Sequence, residues 1–119
     1  MKFGKRYEMT LNRVHDNLTI REGSERLSLT VDGDSMRMVA GINVAQKKMN
    51  DVATKEDPAE EEIRDAAETF ATVIFGKDQT EKLFAFYNND PGCVISICGQ
   101  YFKNRLAYKI AKVQKRLKL

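Results

Sequence analysis

Tryptophan is absent from this 119-residue chain, and proline occurs twice, cysteine twice and histidine once. With six Phe and four Tyr as its whole aromatic complement, the chain is expected to build a modest core and to gain further burial by self-association. Cys93 and Cys98 stand five residues apart in a segment with helical periodicity, about 1.5 turns, which suits neither a disulfide nor a C-x-x-C metal pair. They read as buried structural thiols of a reducing compartment. His15 has no second ligand cluster near it, so no metal or cofactor is expected. No stretch reaches the roughly 18 apolar residues of a membrane span, and Met-Lys-Phe-Gly-Lys-Arg leads into polar sequence and not into a signal-peptide core. A soluble cytoplasmic protein is the expectation. The last absence is of one sign of charge. From Pro91 onward there are seven Lys or Arg and no acid, so residues 1–90 sum to −4 and the remainder to +7.

The chain length fits one domain, 1–119, with no repeat, linker or low-complexity tract to divide it. Residues 1–17 have no dominant period. Tyr7, Met9 and Leu11 alternate, which leaves a short edge strand and a mobile arm as competing readings. Within 18–33, LTIRE and RLSLTV alternate apolar with polar around Gly23-Ser24, the signature of a β-hairpin. Residues 34–119 read as helical. Asp32-Gly33-Asp34-Ser35 offers a turn and an N-cap for a helix from about Ser35 to Val52, with Met36, Val39, Ile42 or Gly41, Ala45 and Met49 at helical spacing. Asp57-Pro58 predicts a cap followed by proline at the first helical position, and Gly76 a stop. A short helix to Tyr87 follows. Asp90-Pro91 then opens a last helix of about 25 residues, carrying Val94, Cys98, Tyr101, Phe102, Leu106, Ile110, Val113 and Leu117 at spacings of three and four. The fold class predicted is α+β, a hairpin followed by about four helices.

Arg105, Lys109, Lys112 and Arg116 are spaced four, three and four, forming a basic stripe beside the apolar one. Such a helix can grip phosphates, lie on an anionic membrane, dock on an acidic protein surface, or stay solvated with its cations favoured by the helix dipole. Glu56, Asp57, Glu60, Glu61, Glu62, Asp65 and Glu68 form a complementary patch, in the same molecule or in a neighbouring copy. A net charge of +3 and the lack of a nucleic-acid-binding pattern weigh against phosphate. Three consecutive acids on a first helical turn point in different directions and read as a solvated cap, so no catalytic residue is expected. Phe84, Phe86, Tyr87, Tyr101 and Tyr108 are the aromatic candidates for a docking surface. Phe86 and Tyr108 stand out because they lie off the main stripes.

The stretch FATVIFGKDQTEKLFAFYNND, running into CVISICGQYFKNRL and closing on KVQKRLK, resembles small tail-module proteins of Gram-positive phages and prophages, the tail assembly chaperones among them. The features that carry it are the Phe75-Gly76 step closing a helix, the Glu81-Lys82-Leu83-Phe84 segment before the last helix, and the hairpin-to-helix part LSLTVDGDSMRMV. It covers Leu18 to Leu119. The resemblance implies a non-enzymatic protein of the bacterial host cytoplasm that binds the tape-measure and tail-tube proteins during tail assembly. Such chaperones are commonly made in short and frameshift-extended forms. The partner-binding residues expected on this reading are Phe86, Tyr108, Arg105, Lys109, Lys112 and Arg116. The alternative is a small nucleic-acid-binding protein that uses the basic stripe.

Overall fold

The computed structural model describes residues 4, 6, 8, 9, 15–32, 36–108, 111 and 115. Strands β1 (His15–Glu22) and β2 (Glu25–Asp32) form an antiparallel hairpin, with Leu18 opposite Leu29 and Ile20 opposite Leu27. Only Gly23 and Ser24 connect the strands, and Gly23 takes φ +60°, as a two-residue hairpin loop requires. Helices α1 (Met36–Ala53), α2 (Glu60–Phe75), α3 (Lys77–Phe86) and α4 (Pro91–Tyr101) come next in the chain, and α4 runs into a π turn over Phe102–Leu106. The class is α+β, as the alternation and the helical spacings predict.

One core joins these elements. Leu29 and Val31 of β2, Met38 and Ile42 of α1, Ile74 of α2, Leu83 of α3, Val94 and Cys98 of α4 and Leu106 of the π turn are all fully buried. In α1 the buried side is Met38, Val39, Ile42 and Ala45, whereas Met36 is 70% exposed. Met38, Ile42, Ala45 and Met49 keep the four-three-four spacing of one face, and Met36 falls off it.

Helices α1 and α2 are laced along their length. A Cβ on Gly41 would lie 2.9 Å from Val73 Cγ2, so the glycine permits the close approach. Arg37 donates from Nε to the Val73 carbonyl at 3.2 Å and from Nη2 to that of Ile74 at 3.4 Å, placing a cation where the last carbonyls of α2 need donors. Lys48 pairs with Asp65 at 2.7 Å, and Lys55 with Glu62.

Two helix boundaries differ from expectation. The start of α2 is Glu60, with Ala59 at the cap position and not Asp57. Glu62 accepts a hydrogen bond from the Ala59 N–H at 3.4 Å while Lys55 holds its carboxylate, so the third helical residue anchors this end. Glu62 is correspondingly held below the usual carboxylate range, first by Lys55 and then by the Ala59 N–H. At the other end, the continuous α-helix expected from Pro91 is interrupted by the π turn. Residues Val94, Cys98, Phe102 and Leu106 are spaced by four, a step that drifts roughly 40° around an ideal α-helix each time. The wider turn takes up that drift, so that Leu106 is fully buried and Phe102 meets Phe70 edge-on at 5.8 Å. Asp90, in contrast, caps α4 as predicted, its carboxylate accepting from the Gly92 N–H at 2.9 Å with Pro91 at the first position. The proposed cap at Ser35 lies outside the described residues.

Candidate protein-docking site

The connection between α2 and α3 is one residue, Gly76, with φ +83° and ψ 165°, a region open essentially to glycine alone. Its N–H closes α2 on the Thr72 carbonyl at 2.9 Å, and its own carbonyl accepts from the Thr80 hydroxyl at 2.8 Å, which satisfies the buried Thr80. The abrupt corner leaves a groove of about 590 Å³ between the two helices. Phe84 and Ala85 supply its apolar floor, Glu68 and Thr72 one wall, and Lys77 and Glu81 the other. Arg64 closes one end, its guanidinium 5.9 Å over the Phe84 ring with Nη2 donating to the Asn89 carbonyl at 3.0 Å. Asn88 and Asn89, at φ 55° and 62°, hold the left-handed turn that ends α3, a conformation asparagine tolerates. Two acids and two bases around a phenyl floor suit an amphipathic surface more than a small ion.

The residues expected to bind a partner do not converge on this groove. Phe86 is half-buried at the end of α3, packed edge-on to Tyr87 with centroids 5.1 Å apart. Tyr108 is 65% exposed. Arg105 is exposed but engaged: Nε and Nη2 donate to the two carboxylate oxygens of Asp16 at 2.8 and 2.9 Å. Lys109, Lys112 and Arg116 lie outside the described residues. Among the described residues, the acidic patch pairs with α1, with the segment after it and with its own helix, through Lys48 to Asp65, Lys55 to Glu62 and Arg64 to Glu60 at 3.8 Å.

Asp16 is the residue that sequence reading missed. It also accepts from the Tyr101 hydroxyl at 2.5 Å, and Tyr101 stacks on Phe75 at 6.2 Å. Arg105 holds the Asp16 carboxyl below its ordinary value against the opposing effect of partial burial, and Tyr101 adds to the lowering. Burial first, then the bond to Asp16, pushes the Tyr101 hydroxyl up, and Asp16 raises Arg105 in turn. Burial drives the Cys98 thiol up to about 12, and Cys93 is raised by desolvation and by Asp90, to which its thiol lies 3.5 Å away. Neither thiol is poised as a thiolate nucleophile.

Among the described residues, no group of three or more His, Cys, Asp or Glu side chains is placed to hold a metal ion, and no helix is long and apolar enough to cross a membrane. Comparison with protein-family models, curated proteins and solved structures gives no match.

Proposed function

We propose that this chain is a phage or prophage tail assembly chaperone-like protein, without an active site of its own, that binds a helical segment of the tape-measure protein during tail assembly. One observation supports the reading: of the residues that carry the resemblance to tail-module proteins, Glu81 and Phe84 line the groove and the Phe75-Gly76 step makes the corner beside it. Leu83 beside them is buried in the core. An apolar floor with charges of both signs at its rim accepts the apolar face of an amphipathic helix while the rim limits indiscriminate association. The phosphate-binding alternative is weakened because Asp16 already holds Arg105, the first member of the basic stripe.

Co-expression with a phage tape-measure protein tests the proposal. The expected result is increased solubility and co-purification of that protein, reduced at least tenfold by Thr72→Arg, which intrudes on the groove, with circular dichroism confirming that the variant is folded. Unchanged solubility and no co-purification sink the proposal. Binding to a nucleic acid that weakens steeply with salt would favour the alternative.

A further inference from the structure

With the groove between α2 and α3 read as the seat of a helical partner, a reading on which this step rests, we propose that it selects helices carrying a lysine or arginine at the middle of the face they bury, held between Glu68 and Glu81. The groove walls are two stripes of residues spaced by four, Arg64, Glu68 and Thr72 on α2 and Lys77, Glu81 and Ala85 on α3. Thr72 and Lys77 stand at the corner, because the Thr72 carbonyl accepts from the Gly76 N–H. Arg64 donates to the Asn89 carbonyl, so α3 returns along α2 and brings its far end to Arg64. One turn from the corner on each helix, about 5.4 Å, Glu68 and Glu81 therefore stand on opposite walls at the same level. Along the groove the order of charge is Lys77, the two carboxylates, then Arg64.

Both acids are exposed, and among the described residues neither is in an ion pair. Each has a base four residues away on its own helix, a spacing at which helical ion pairs form. Yet Arg64 turns to Glu60 at 3.8 Å and to Asn89, and Lys77 makes no ion pair with Glu81. Like charges on opposite walls of an apolar floor repel, and one cation placed between them replaces that repulsion with two attractions. The stem of a lysine or arginine is apolar and suits Phe84 and Ala85, while its head meets the carboxylates. A cation one turn to either side would meet Lys77 or Arg64, so the two ends of the groove confine the incoming charge to the middle level. The order of charge reads the same from both ends. It sets the register of the partner helix and leaves its direction to the apolar contacts.

Three fluorescein-labelled helical peptides of about 15 residues, four turns, serve as probes. They are built from leucine, alanine and glutamine with the leucines on one face, and differ only in a lysine, glutamine or glutamate at the centre of that face. By fluorescence anisotropy at low salt, the lysine peptide should bind the full chain at least tenfold more tightly than the glutamine peptide, and the glutamate peptide should bind most weakly. Neutralising the pair, Glu68→Gln with Glu81→Gln, should bring the lysine peptide to the level of the glutamine one. Glu25→Gln with Asp51→Asn, both exposed and outside the groove, changes the net charge equally and should keep the lysine preference, with circular dichroism confirming that each variant is folded. Equal affinity for the three peptides, a lysine preference that survives Glu68→Gln with Glu81→Gln, or one lost equally with Glu25→Gln and Asp51→Asn overturns the proposal and leaves the groove a seat for helices. Binding of none of the three overturns both.

Discussion

Asp16 joins positions far apart in the chain, since its partners Tyr101 and Arg105 lie 85 and 89 residues further on. Its depressed pKa means that the folded state favours the carboxylate, so its contribution is complete above the ordinary carboxylate pKa and is lost as pH falls through the lowered value. Replacing Asp16 by Asn should therefore cost about 1.5–3 kcal/mol near neutrality, the range for hydrogen bonds to charged groups. Denaturant titrations from pH 7 to pH 2 should give a constant difference between the variant and the parent down to about pH 4, closing below it. A gap unchanged at the acid limit would show that packing and not charge is responsible. Arg105 was legible as a cation on a helix face, but not as a tethered one. Its partner sits in a stretch without strong periodicity, and no spacing rule connects residues so distant in sequence.

The elements themselves were written more plainly. Period-two alternation around Gly23-Ser24 and the Asp90-Pro91 pair each specify local geometry that the structure realises. Asp57-Pro58 has the same form as Asp90-Pro91 but does not start a helix, because Lys55 and Glu62 draw the boundary to Ala59 through contacts outside the dipeptide. The π turn was hidden for a related reason: it satisfies burial of Phe102 and Leu106 against other elements, which spacing within one helix cannot express. Gln79 makes the clearest prediction at this scale. It covers the edge of β2 and also donates to the Phe75 carbonyl at 2.8 Å, so Gln79→Ala leaves backbone groups of two elements without this partner. A loss of about 1–3 kcal/mol is expected, with increased light scattering on heating as the uncovered strand pairs between molecules. Equal stability and clarity of the variant would mean that water replaces the amide at no cost.

Across the whole molecule, every described helix and strand β2 contribute buried side chains to one cluster, which ties the hairpin to the helices. Unfolding should accordingly be a single transition. Leu29→Ala, a fully buried change in the hairpin, should cost about 2–5 kcal/mol and shift far-ultraviolet circular dichroism and tyrosine fluorescence together. If the helical signal held while tyrosine fluorescence moved, the hairpin would be an independent unit. The corner at Gly76 has a consequence for which changes in chain length this architecture tolerates. Connections between elements ordinarily absorb insertions and deletions, but here the connection is one residue deep, and each residue added within a helix rotates the downstream side chains by roughly 100°. A single insertion beside Gly76 would swing Leu83 out of the core and Phe84 away from Arg64. The shortest link between helices is therefore the place where variation in length is least tolerable.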